Sequence, residues 1–225
     1  MEQTITDFVV AIDGPAGAGK STVARQVAGR LKDFRYLDTG AMYRAVTAYL
    51  LRFDKLHTSE QEMAEAAEGL VLDGDKLILH GEDVTGDIRT ASVTAEVSRI
   101  SAFPLVRRVV QAKQREERGR LVAEGRDIGS VVFPDAMLKV YLDASLKERA
   151  RRRHKEFGDF SAEEYAGQIS RRDELDSTRD DSPLVQAEDA ILIDTTDLTI
   201  EEVVNRIEAL AKERMVQGDD AESFA

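Results

Sequence analysis

Short apolar runs alternate with stretches of helical period along most of the chain. The runs "FVVAID" (8–13), "FRYLD" (34–38), "LVAEG" (121–125), "MLKVYLD" (137–143) and "AILID" (190–194) have the length of strands. The first, fourth and fifth are apolar almost throughout, as strands covered on both faces of a parallel sheet are. Between them, "AMYRAVTAYLL" (41–51) sets Ala41, Met42, Ala45, Val46, Tyr49 and Leu50 on one stripe of a helix, with Thr39 placed to cap it. A second helix is predicted over "PLVRRVVQAKQREERGR" (104–120), opened by Pro104 and closing near Gly119. A third, "LTIEEVVNRIEALAKERM" (198–215), closes the ordered chain, and residues 217–225 are expected to form a flexible tail. One segment breaks the alternation. "GLVLDGDKLILHGEDVT" (69–85) reads as short strands around the turn "DGDK", so residues 55–100 are expected to form an antiparallel-rich insert in a core made of 1–54 and 101–216.

Composition narrows the partners. The 225 residues are enough for a sizeable core, and 43 acidic against 31 basic residues leave a formal charge of −12. That balance argues against nucleic acid or an anionic membrane as a main partner, and it makes any basic cluster stand out. Cysteine is absent, which excludes disulfides and thiolate metal sites, and the three histidines, His57, His80 and His154, are scattered without metal-ligand spacing. No apolar run approaches the ~20 residues that span a bilayer, and "MEQTITDF" has no leader pattern. A cytoplasmic monomer is the expectation.

The chemistry begins where the first strand ends. Gly14, Pro15, Ala16, Gly17, Ala18, Gly19, Lys20, Ser21 and Thr22 carry the pattern G-x-x-x-x-G-K-[ST] between a strand and a helix. Glycines let backbone N–H groups turn toward phosphate oxygens, the helix N-terminus favours an anion, Lys20 adds a cation and Ser21 can ligate Mg²⁺. A loop of this kind serves hydrolysis, switching or phosphoryl transfer alike. Arginines at the strand ends favour transfer to a phosphorylated acceptor, which needs a second anion site. Arg44 follows the second strand, Arg126 and Asp127 follow the third, and Arg107 opens the 104–120 helix. Arg172, Asp176 and Arg179 fall at i, i+4 and i+7, one face of a helix. After the fourth strand, "ERARRRHKE" (148–156) crowds Arg149, Arg151, Arg152, Arg153 and Lys155 onto about two turns. It reads as a lid bringing cations to the transferring phosphates, or as a solvated basic face.

The segments "IDGPAGAGKST", "YLDTGAMYRA", "LILHGEDVTGDIRT", "AFPLVR", "EGRDIGSVVFPDA", "VYLDASLKERARRR", "RRDELDSTRDDSPL" and "ILIDTT" resemble, in order and over nearly the whole chain, those of bacterial cytidylate kinases. The resemblance implies an α/β P-loop kinase fold: a five-stranded parallel sheet flanked by helices, a monophosphate-binding insert and a short helical lid near 148–165. It implies ATP-dependent phosphorylation of CMP and dCMP with Mg²⁺, in pyrimidine nucleotide metabolism. By motif position, Ser98, Arg107 and Asp127 would read cytosine, Arg44, Arg126 and Arg179 would hold the acceptor phosphate, and Arg172 and Asp176 would reach the pentose. Thr39 stands where the family carries serine and keeps the hydroxyl. Gly14 to Thr22 would hold ATP, and Lys20, Arg149, Arg152 and Arg153 would act on the transferring group. Ser21 and Asp38 are the candidate Mg²⁺ ligands, with metal held through waters the alternative. The rival readings keep the fold with uridylate or another phosphorylated metabolite as acceptor, or make the chain a nucleotide-dependent switch.

Overall fold

The computed structural model describes residues 8–222. In chain order its elements are β1 (Phe8–Asp13), α1 (Lys20–Arg30), β2 (Arg35–Asp38), α2 (Thr39–Arg52), α3 (Glu60–Glu68), β3 (Leu70–Asp73), β4 (Lys76–Leu79), β5 (Glu82–Asp83), α4 (Ala91–Ile100), α5 (Pro104–Glu116), β6 (Arg120–Glu124), β7 (Leu138–Asp143), α6 (Leu146–Phe157), α7 (Ala162–Thr178), β8 (Ile191–Asp194) and α8 (Ile200–Glu222), with one π turn at Ile128–Val132. The chain divides into two compact units. One holds the chain up to Leu37, Arg118–Ser177 and the chain from Ser182 on; the other holds Asp38–Glu117 and Thr178–Asp181.

The first unit is built on a five-stranded parallel sheet in the order β2-β6-β1-β7-β8. β1 is central, in parallel register with β6 (Val10 opposite Val122) and with β7 (Ile12 opposite Val140). All six β1 residues are buried, which is why its sequence shows no polar alternation. Val23, Ala24 and Val27 of α1 and Val203, Val204, Ile207 and Ala211 of α8 pack on this sheet. Each large aliphatic side chain so buried stabilises the unit by about 2 kcal/mol. The loops after β1, β6 and β7 all leave from carboxyl ends, the side on which open parallel sheets bind ligands. α6 begins at Ser145, whose hydroxyl accepts from Glu148 N, and ends at Gly158 in the left-handed region (φ 73°).

The second unit pairs β3, β4 and β5 in an antiparallel sheet, with Leu70 opposite Leu79 and Ile78 opposite Asp83. Helices α2 to α5 accompany it, α3 packing on α5 and α2 on α4. The 55–100 insert expected to be antiparallel-rich therefore holds more helix, α3 and α4, than strand, β3 to β5. Its helices are short and locally capped: Ser59 and Glu62 form a capping box at α3, and Thr90 caps α4.

Several boundaries differ from the sequence reading. The five parallel strands lie within one residue of their predicted starts and ends. Asp38, not Thr39, caps α2, because its carboxylate accepts from Ala41 N at 2.9 Å and Thr39 is already helical. α5 ends at Glu116, short of Gly119. α7 ends at Thr178, so Arg179 lies beyond it and does not share a helix face with Arg172 and Asp176. α8 continues to Glu222 where a flexible tail was expected. The remainder of that tail, 223–225, and the stretch 1–7 lie outside the described residues.

Candidate active site

In the first unit the phosphate loop turns through three glycines at positive φ: Gly14 (144°), Gly17 (79°) and Gly19 (92°). At Gly14 a Cβ would stand 2.0 Å from the Leu142 carbonyl oxygen, so the loop crosses β7 too closely for any side chain. Gly19 hands over to α1, whose first residue is Lys20. Lys20 is buried and its ammonium donates to the Pro15 carbonyl at 2.8 Å. Burial first, then the guanidinium charges of Arg126 and Arg172, push its pKa down to about 7, against the opposing pull of Glu124 and Asp13. Three cations thus lie close to one another at the phosphate loop, with Glu124 and Asp13 offsetting part of their charge.

Ser21 follows, and its hydroxyl donates to the Glu124 carboxylate at the carboxyl end of β6. Tyr36 OH donates to the same Glu124 oxygen at 3.1 Å. A hydroxyl and a carboxylate are hard oxygen ligands suited to Mg²⁺. Among the described residues no group of three or more His, Asp or Glu could hold a metal by itself, so a cation here would complete its shell with phosphate and water oxygens. Asp38, expected as the acidic ligand, has its carboxylate engaged on Ala41 N and faces Arg89 at 3.5 Å. Glu124 stands beside Ser21 instead. It was overlooked although its position, the last residue of a buried strand before a glycine, was a signal.

Arg126 comes next. Its Nε donates to Asp176 at 2.8 Å and its Nη1 to the Gly14 carbonyl at 3.0 Å, so this arginine is seated on the phosphate loop itself. Arg172 approaches the same Asp176 oxygen at 4.0 Å. Asp127 is buried and its carbonyl accepts from Val131 and Val132 N, which opens the π turn. That turn is held from behind by Asp13, whose carboxylate accepts from Ile128 N at 2.8 Å and Gly129 N at 2.7 Å. Burial, and after it the Asp127 charge, raises Asp13 to about 6 despite those two N–H groups.

The arginines of α6 divide. Arg149 is buried, donating to the carbonyls of Ala144 and Ala16 and to Asp173. Arg152 donates to Glu148 and to Thr195, and Arg153 stacks its guanidinium 4.9 Å from the Phe157 ring centre. Glu148 is held down to about 2, first by the Arg151 hydrogen bond and then, against some burial, by Arg152.

In the second unit Arg44 donates to Thr94 Oγ1 at 3.1 Å and to the Ile88 carbonyl. Thr39 is buried, its carbonyl accepting from Gln114. Arg107, 1% exposed, lies over the Tyr43 ring at 5.3 Å, donates to the Ser101 carbonyl at 3.0 Å and faces Asp181 at 3.7 Å. Ser98 sits a turn away, its carbonyl accepting from Ser101 Oγ. Arg179, half-buried, lies in the Thr178–Asp181 segment that clusters with this unit. The structure thus brings Gly14, Lys20, Arg126, Arg172 and Asp176 together in one unit and Ser98, Arg107 and the Arg179 segment in the other. No described helix is long and apolar enough to cross a membrane.

Proteins named cytidylate kinase are similar to this chain: that of Caldanaerobacter subterraneus subsp. tengcongensis at 50% identity over 212 residues, covering 90% of this chain and 94% of its own. Those of Carboxydothermus hydrogenoformans (50% over 210 residues, 88% and 94%) and Solibacter usitatus (48% over 224 residues, 94% and 95%) are similar to the same degree. The pattern of the cytidylate kinase family matches residues 10–213, and the chain belongs to that family.

Proposed function

We propose that this chain transfers the γ-phosphoryl group of ATP to CMP and dCMP. The observation that carries the reading, beyond family membership, is the burial of Lys20 in the glycine loop beside Arg126 and Arg172: burial first and those two charges after it depress Lys20 to about 7, and a polyanion would oppose both. A buried cation cluster of this kind is costly to the free protein and pays for itself only when phosphates arrive.

The acceptor phosphate oxygen is already anionic, so in-line attack on the γ-phosphorus needs positioning and charge neutralisation and no strong base. Gly14 to Thr22 hold the donor phosphates through backbone N–H groups, and Lys20 follows the charge as it shifts to the leaving group. Ser21 and Glu124 would hold Mg²⁺, which supplies a positive charge shared by donor oxygens. Arg44, Arg126 and Arg179 hold the acceptor phosphate, Arg172 and Asp176 reach its pentose, and Thr39 lies at the start of the helix that carries Arg44. Arg152 and Arg153 remain the cations of the lid for the transferring group.

Ser98, Arg107 and Asp127 read the base. Cytosine presents an N4 amino donor where uracil presents O4, and it offers N3 and O2 to a guanidinium. With uracil, a buried acidic acceptor would face a second acceptor, costing about 1–3 kcal/mol or roughly 10- to 100-fold in selectivity. A coupled assay over CMP, dCMP, UMP and AMP tests this: CMP and dCMP should lead UMP by at least about tenfold. Equal turnover of UMP removes the base-reading assignment, and ATP binding without response to any monophosphate returns the chain to a switch.

A further inference from the structure

One amino acid of the phosphate loop is gripped at both ends of its backbone. Ala16 N–H donates to Asp173 Oδ1 on α7 at 3.0 Å. Its carbonyl accepts from Arg149 Nη1 on α6 at 3.0 Å. Arg149 and Asp173 form an ion pair that closes the ring, with side chains only 10% and 18% exposed. A further anchor holds the arginine, whose Nε donates to the Ala144 carbonyl just past β7 at 2.9 Å. At the next residue the loop touches α6 directly: a Cβ on Gly17 would stand 3.1 Å from Arg149 Cβ.

A carboxylate next to a loop that receives polyphosphate is unfavourable by itself, since like charges repel. Arg149 neutralises it, which leaves the pair with a geometric effect and little net charge. We infer that Asp173 is a positioning residue of the phosphate loop, acting through Ala16 N–H with Arg149 as its partner. By fixing the Ala16 peptide it sets the direction in which the following N–H groups, Gly17 to Lys20, point. The inference rests on the reading of this loop as the donor site. It also assigns Arg149 to the loop's scaffold and leaves the transferring group to other cations.

Charge and positioning give opposite signs, and this makes the idea testable. Removing a negative charge beside a phosphate site tightens ATP binding if the effect is electrostatic alone. Loosening Ala16 weakens it. In the full-length chain, Asp173→Ala should raise the Kd for ATP, measured by titration calorimetry without any acceptor, by about tenfold, the usual effect of losing a hydrogen bond to a charged group. Asp173→Asn keeps the volume and one acceptor oxygen, so it should recover part of that loss. The KM for CMP at saturating ATP should stay within about twofold in both, which a general loss of structure would not produce. ATP affinity unchanged or tighter in Asp173→Asn and Asp173→Ala, or a CMP KM that rises as much as the ATP Kd, overturns the inference. If Asp173→Ala does not fold, the Asn variant decides by the same criteria. Because the titration needs no turnover, it is readable even if CMP proves not to be the acceptor, and a normal CMP kinase with unaltered ATP affinity in these variants would sink the inference alone.

Discussion

Asp13 joins the sheet to the π turn at Ile128–Val132, and its titration gives that link a measurable size. Its carboxyl titrates near 6 in the folded chain, against an ordinary value of 3.8, because burial and the Asp127 charge oppose ionisation. The folded state therefore binds more protons than the unfolded state between those values. The stability it contributes is whole below pH 3.8 and is lost as pH rises through 6. A shift of about 2 units corresponds to about 3 kcal/mol. Asp13→Asn cannot titrate, so the unfolding free energy of the wild type minus that of the variant should fall by about 3 kcal/mol between pH 3 and pH 7. A gap that does not change with pH would show that Asp13 is not protonated in the folded chain. Single residues were the least legible part of the sequence. Lys20 and Ser21 announce themselves by spacing within one motif. Glu124 accepts from Ser21, 103 positions away, and Asp173 from Ala16, 157 positions away. No local pattern marks a carboxylate whose partner the fold delivers.

At the scale of elements the strands were legible because burial on both faces writes an unbroken apolar run, as in β1 and β7. Helix ends were harder. Asp38 and Thr39 are both good capping residues, and only the backbone turn decides between them. The predicted face of Arg172, Asp176 and Arg179 required a helix running through Arg179, whereas α7 stops at Thr178. Asp38→Ala should lower stability by about 1 kcal/mol through the lost bond to Ala41 N, read as a shift in the urea midpoint. The exposed Arg89 partner adds little to that cost. An unchanged midpoint would deny the capping role, and a variant of normal stability with a weakened Mg²⁺ dependence would return Asp38 to the metal.

On the scale of the whole molecule, a formal charge of −12 leaves positive charge concentrated where it is used. Lys20 follows β1, Arg126 follows β6 and Arg149 follows β7 because a parallel sheet sends its ligand-side loops from the same edge. That logic, and the family membership it agrees with, was legible early; the helical content of the insert was not, since its short helices depend on caps and on packing against one another. The central position of β1 has one more consequence. Gly14 is excluded from bearing a side chain by the main-chain oxygen of Leu142. Every amino acid at position 142 carries that oxygen. A genetic screen for second-site suppressors of Gly14→Ala should therefore recover none at position 142, however small the residue tried, and a suppressor found there would show that β7 can move away from β1. The glycine answers to the spacing of two strands, and no exchange of side chains can release it.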